Sequence, residues 1–240
     1  MDRLRKFAAR YAAARRYGVT FLGTSYTHIP RTMQFGGTRR QIKLPDDAPL
    51  VADFIDVVLD DDYGLREITG SVRTIVDIGA NVGMFSNHAR DCFPEATIHA
   101  YEPSPTTAEL ARFNSSHPLT TVYEEGVSGA DGHADMVELG ASNIARTQAC
   151  DGGAITLTSF ANVLARAGGH IDILKVDCEG AEWDFMTDAA LFANVDRIRM
   201  EYHLIDGRDL HDVTRLVQFL GYRVGKLTCN SGFGIVWMDR

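Results

Sequence analysis

Long apolar runs are missing from this sequence. Its hydrophobic stretches are strand-sized, shorter than the roughly 20 residues that a membrane-spanning helix needs. The opening MDRLRKF holds no apolar core segment, so it does not read as a secretory signal. Cysteine is sparse: Cys92, Cys150, Cys178 and Cys229 lie far apart and form no C-x-x-C pair. That spacing disfavours a zinc site or a disulfide framework and fits a reduced, cytoplasmic chain with free thiols. Positive charge is also short, with 24 Lys and Arg against 32 Asp and Glu. A net charge of −8 argues against a nucleic acid held by simple electrostatics. No internal repeat or low-complexity tract is present.

What remains is a chain of 240 residues, 45% hydrophobic, enough to bury a full core in one domain with a small appended segment. The charge is uneven. Residues 1–16 carry six cations against Asp2, a net of +5 that leaves −13 for the remainder. Leu4, Phe7, Tyr11 and Ala14 recur at helical spacing in that arm. A helix packing on its own domain is the plain reading, and contact with an anionic surface or partner is the sharper one. Residues 46–62 hold seven aspartates and no cation around Phe54, Ile55, Val57, Val58 and Leu59. This pattern predicts a helix over the sheet, leaving through Asp60, Asp61 and Asp62. Residues 1–70 therefore read as a helical or lid extension, and residues 71–240 as the core domain.

From residue 72 short β-rich runs alternate with helical stretches. Strands are predicted at Thr74–Ile78, Thr97–Tyr101, Thr121–Glu125, Ile171–Val176 and Arg197–Tyr202, with Tyr222–Leu227 and Ile235–Met238 as a closing antiparallel pair. Helices are predicted at Gly83–Cys92, from Pro105 to about Asn114, at Thr158–Ala167 with Thr158 or Ser159 as cap, from Ala181, and at Asp209–Leu220. Gly126 to Gly153 is rich in Gly, Asp, Ser and Asn, and reads as loops with a short hairpin. The fold class is α/β: a doubly wound, mostly parallel seven-stranded sheet.

In such sheets ligands bind beyond the carboxyl ends of the strands, where strand order reverses. The first strand ends D-I-G-A-N-V-G, with Gly79 allowing the tight turn and Gly83 opening the helix. A nicotinamide-dependent oxidoreductase would want G-x-G-x-x-G facing a pyrophosphate. Here Asn81 replaces the second glycine and Ser86 the third. Asp77 weighs further against a dinucleotide, since a carboxylate beside a diphosphate is repelled by a few kcal/mol at an effective dielectric of about 20. Beside the ammonium of S-adenosylmethionine the same charge attracts. Glu102-Pro103 at the second strand tip suits the ribose hydroxyls, and Gly126-Val127 after the third strand suits adenine.

Asp177 ends the fourth strand, with Lys175 deeper on the same face, and Glu201 and His203 alternate onto one face of the fifth. Asp177, Glu201 and His203 form a candidate catalytic cluster over the acceptor. His203 is the expected proton acceptor, from its ordinary pKa near 6.5. A divalent metal on Asp177 and Glu201 is conceivable, but two ligands are too few to assign one. Glu182 reads as a helix-start carboxylate, and Glu179 as that or an orienting group. The other histidines, Trp183 and Trp237 read as packing or surface residues, and Tyr63 as a core contact near the acceptor pocket.

The D-I-G-A-N-x-G loop, the Glu102-Pro103 tip and Leu174–Glu182 (L-K-V-D-C-E-G-A-E) together resemble the FkbM family of methyltransferases, over about Val72 to His203. Cys178 stands where the family is often aliphatic. Thr156–Leu164 looks like a diverged T-L-D-D-L segment with Ser159 in place of an acid. The resemblance implies S-adenosylmethionine as methyl donor and a hydroxyl of a polyketide, glycan or related metabolite as acceptor. A catalytically silent binding module is the contrasting reading, against which Asp177, Glu201 and His203 weigh. Homo-oligomerisation is left open.

Overall fold

A computed structural model describes residues 2–21, 23, 31–35, 37–45, 50–138, 145–150 and 152–240. The chain opens with α1 (Asp2–Arg16) and an antiparallel hairpin of β1 (Thr32–Phe35) and β2 (Thr38–Gln41). A single turn, α2 (Leu50–Asp53), runs directly into a π-helical stretch, Phe54–Leu59. Phe54, Ile55, Val58 and Leu59 are buried with Tyr17, Phe21, Met33 and Phe35, and with Val82 and Met84 of the core domain. The aspartate-rich segment thus packs between α1 and the helix after the first core strand, where a cover over the sheet was expected. Asp46 and Asp47 lie outside the described residues.

The core alternates as its sequence predicts: β3 (Thr74–Ile78), α3 (Met84–Cys92), β4 (Thr97–Tyr101), α4 (Pro105–Asn114) and β5 (Thr120–Tyr123). Ser104 caps α4 by accepting from the Thr107 N–H, with Pro105 in the first turn. Residues 126–153 depart from the expectation of loops. They contribute β6 (Gly126–Ser128), β7 (Gly132–Glu138) and β8 (Ala145–Ala149), which β9 (Ile155–Ser159) joins in a second, four-stranded sheet of order β6-β9-β7-β8. The β7–β8 pair is the hairpin. Strand β9 takes residues assigned above to a helix start, and Ser159 then caps α5 (Phe160–Arg166). Pairing across the chain, rather than local periodicity, makes this sheet.

The remaining elements are β10 (Ile171–Val176), α6 (Glu182–Phe185), α7 (Ala189–Phe192), β11 (Val195–His203), α8 (Leu210–Phe219), β12 (Arg223–Leu227) and β13 (Phe233–Asp239). The main sheet has seven strands in the order β12-β13-β11-β10-β3-β4-β5. All neighbours run parallel except β13, which is antiparallel to both β11 and β12. It is a doubly wound, Rossmann-like α/β fold. Its central strands are buried on both faces, which explains their near-continuous apolar runs. Leu174, Val176, Ile198 and Met200 pack on Phe160, Phe185 and Phe192, while Ile75, Ile98 and Ile173 pack on Phe85, Tyr63 and Trp237. Each such side chain contributes about 1.5–3 kcal/mol by leaving water.

After β3 the chain builds outward through β4 and β5, then returns to lay β10 on the other side of β3. The reversal falls between β3 and β10, in the register Lys175↔Asp77 and Val176↔Ile78. The crevice of this fold therefore opens where the D-I-G-A-N loop meets Asp177.

Candidate active site

The loop after β3 is held too tightly for any side chain at its first glycine. Gly79 has φ 75°, and a Cβ there would stand 1.7 Å from the Asp177 carbonyl oxygen. Asn81 also adopts a left-handed conformation, φ 47°, one of the few non-glycine residues to do so readily. Its side-chain amide donates to Asp53 Oδ2 at 3.1 Å, tying α2 to the loop. At the tip of β4, Glu102 Oε2 accepts the Asn81 N–H at 2.9 Å and Oε1 accepts the Ser104 N–H at 3.0 Å. Each oxygen keeps a lone pair for a further donor. Burial raises the Glu102 carboxyl, and the two backbone N–H groups pull against that rise. Pro103 follows half-buried, whereas Gly126 and Val127 are buried in β6, paired with Leu157 and Thr158 of β9. They belong to the second sheet and do not extend β5.

Asp77 sits differently from the expectation. Its side chain has no exposed surface; Oδ2 accepts from the Ser86 hydroxyl at 2.7 Å and Oδ1 lies 3.3 Å from Lys175 Nζ. Lys175 supplies its countercharge within the fold. Lys175 bridges to Asp177 Oδ2 at 3.4 Å and donates to the carbonyls of Ile78 and Gly79. Burial works against its charge, but Asp177 and Asp77 outweigh burial and hold the ammonium protonated. Tyr63, buried in the core, donates its hydroxyl to Asp177 Oδ2 at 3.2 Å.

The strand tips of β10 and β11 bring Asp177, Glu201 and His203 together, with ligand atoms all within 4.8 Å of one another. Two further carboxylates join them. His203 Nε2 lies 3.2 Å from Glu179 and 3.8 Å from Glu201, and Nδ1 lies 3.4 Å from Glu182. Burial alone would lower the imidazole pKa. The adjacent Glu182 carboxylate, with the charges of Glu179 and Asp177, instead raises it to about 9. A pKa raised in this way favours the imidazolium near neutral pH. Glu201 moves the other way in role: burial, then the Asp177 charge, raise its carboxyl to about 8 against the pull of His203 and Lys175. A carboxylate so poised takes up a proton near neutral pH.

Glu182 is more than a helix-start charge. Wholly buried, it accepts the N–H groups of Gly180 and His203 at 2.8 Å each, pinning the β10–α6 turn to β11. Sequence reasoning missed Asp53 and this tie, and placed Lys175 on the face of Asp177 without giving it a role. Lys175 carried a signal, as a cation inside an otherwise apolar strand; the partners of Asp53 and Glu182 are long-range. Elsewhere His88 binds Asp61 at 2.8 Å and Trp237 donates to the Asp62 carbonyl, both joining the N-terminal segment to the core. Trp183 donates to the His203 carbonyl at 2.9 Å beneath the Arg208 guanidinium. His28 lies outside the described residues.

Residues 77–224 match the family model described as the methyltransferase FkbM domain. The chain belongs to the FkbM methyltransferase family. As in the sequence reading, the matched span takes in both motifs of the crevice. This FkbM domain is 28% identical over 169 residues to the hexuronic acid methyltransferase AglP of Haloferax volcanii, covering 66% of this chain and 68% of that protein. Among solved structures it is similar to a precorrin-6y methyltransferase from Geobacter metallireducens, with TM-score 0.48 and 13% identity over 75% of this chain and 86% of that one. It is also similar to an O-methyltransferase family protein from Burkholderia thailandensis, with TM-score 0.46 and 11% identity over 78% of this chain and 57% of that one. Among the described residues, no helix is long and apolar enough to cross a membrane.

Proposed function

We propose that this methyltransferase uses S-adenosylmethionine and methylates a hydroxyl of a small metabolite or glycan. One observation carries the reading. Glu102 is fixed by two backbone N–H groups at the strand tip beside the Gly79–Gly83 loop, with a lone pair left on each oxygen for a ribose diol. Gly79 lets the loop lie against the Asp177 backbone, where any side chain would collide, and so sets the wall of the crevice. Gly83, Asn81 and Pro103 shape the same wall, and Gly126 and Val127 lie beyond it toward the adenine. The donor supplies a methyl carbon already activated by a sulfonium. The chain has to align the acceptor and take its proton.

Asp177, half-exposed at the β10 tip, positions the acceptor hydroxyl while Tyr63 and Lys175 hold its carboxylate from behind. Glu201 receives the hydroxyl proton as the oxygen attacks the methyl carbon and the carbon–sulfur bond breaks. His203, charged, steadies the resulting cluster of carboxylates. Alignment at about 3 Å supplies several kcal/mol, and a general base typically a factor of about 10²–10⁴. The hexuronic acid substrate named for AglP favours sugar acceptors for the first trials.

The test is turnover with methyl-labelled S-adenosylmethionine over a panel of sugars, uronic acids, phenols and amines. Label recovered on an acceptor oxygen supports the proposal. Donor binding without transfer to any acceptor favours the silent module, and transfer to nitrogen overturns the hydroxyl assignment.

A further inference from the structure

Asn81 joins two carboxylates across the glycine loop. Its backbone N–H donates to Glu102 Oε2 at 2.9 Å, and its side-chain amide donates to Asp53 Oδ2 at 3.1 Å. Asp53 closes α2, and the next two residues, Phe54 and Ile55, are buried, which fixes the carboxylate beside the loop. The other acids around the crevice are already provided for. Asp77 and Asp177 face Lys175, and Glu179, Glu182 and Glu201 face His203. Glu102 is held by two backbone N–H groups. Asp53 is half-buried and, among the described residues, no cation pairs with it. Burial, then the Asp177 charge, raise its carboxyl to about 6 against the pull of Lys175. It is still ionised at neutral pH, and it lies within electrostatic reach of Asp177 at the β10 tip. A half-buried carboxylate without a countercharge is stabilised by any cationic group that a ligand brings to it.

We propose that Asp53 receives the α-ammonium of the methyl donor. The inference rests on the donor reading above, with the ribose on Glu102 and the methyl group near Asp177. A donor so placed carries its amino-acid end past the Gly79–Asn81 loop, and the carboxylate tied to that loop is the one without a cation. The Asn81 amide occupies one lone pair of Oδ2, and the remaining lone pairs of Asp53 can accept from the ammonium. Asn81 thus sets both ends of the donor, holding Glu102 for the diol and Asp53 for the amine. An adenosine compound without the amine gains nothing from Asp53, so this residue selects the amino acid–nucleoside conjugate over other nucleosides. The N-terminal segment thereby contributes a binding group to a site otherwise built from strand tips of the core.

Calorimetric titration of the full chain with S-adenosylhomocysteine and with its desamino analogue, in wild type and Asp53→Asn, tests the proposal. The two ligands differ only in the α-ammonium, and asparagine keeps an oxygen for the Asn81 amide. Wild type should bind the desamino analogue more weakly by about tenfold or more, the scale of one hydrogen bond between charged groups. Asp53→Asn should lose a similar factor for S-adenosylhomocysteine and bind the desamino analogue like wild type. A wild type indifferent to the ammonium would overturn the proposal without recourse to the variant. Equal affinity of wild type and Asp53→Asn for S-adenosylhomocysteine would also overturn it. So would an equal fall for both ligands, which marks Asp53 as an anchor of the loop alone. A wild type that binds neither ligand would overturn the donor reading itself, and this inference with it.

Discussion

Lys175 Nζ stands 3.3 Å from Asp77 Oδ1, both side chains buried and each the other's countercharge beneath the glycine loop. The acidic tip of β3 is thus neutralised from within the fold and anchors the loop that follows it. Lys175 also holds the Gly79 carbonyl and Asp177, so one cation sets both walls of the crevice.

Replacing Lys175 with Met should be severe, because it strands two carboxylates, one of them fully buried. Loss of a buried ion-pair partner costs about 3–5 kcal/mol. Urea denaturation should show that loss, and Asp77→Asn added to Lys175→Met should recover part of it. Equal stabilities of the single and double variants would show that the pair is not coupled.

Gly79→Ala should abolish activity and lower stability together. The added Cβ meets the Asp177 carbonyl at 1.7 Å in a left-handed backbone, and neither atom belongs to a flexible side chain. Turnover and melting temperature of the variant check this; an active, equally stable protein would contradict the loop geometry.

Glu201→Gln should lower kcat by about 10²–10⁴ with little change in donor affinity. In the wild type kcat should climb as pH rises through the raised range of Glu201, near 8, and the variant should lose that limb. His203→Gln removes a favourable positive neighbour and should move the limb to higher pH. An unchanged pH profile in Glu201→Gln would remove it as the base.

Stability should fall as pH rises past neutrality. His203 has its folded pKa raised from 6.5 to about 9, so its contribution is complete below about 6.5 and lost as pH passes about 9. Glu201 is raised as well, binds more protons folded than unfolded, and acts in the same direction. Melting temperatures between pH 6 and 9 should decline in the wild type and decline less in His203→Gln. A rise over that window would contradict the cluster's electrostatics.

The sequence made the main sheet legible because its strands are buried on both faces and its helices carry ordinary caps and stripes. Thr74–Ile78, Thr97–Tyr101 and Ile171–Val176 coincide with β3, β4 and β10. The four-stranded sheet was hidden, since among the described residues its own apolar cluster is only Ala134, Ile155 and Leu157 and it depends on pairing between distant segments. The residues that meet in the crevice were readable from their strand-tip positions; their protonation was not. His203 looks like a base from its ordinary pKa, and the arrival of Glu179 and Glu182 beside it, which raises that pKa, is a long-range effect. The burial of Asp77 against Lys175, its partner in the register of β3 and β10, was equally beyond local pattern.

The central claim is that the Glu102 carboxylate at the β4 tip receives the ribose of the methyl donor. Calorimetric titration of S-adenosylhomocysteine into wild type and Glu102→Ala measures it directly, with NADH as the competing ligand. The account predicts binding of S-adenosylhomocysteine and not NADH, weakened about 10²-fold in the variant by loss of two charge-assisted hydrogen bonds. Equal affinity in both proteins, or preference for NADH, would contradict it.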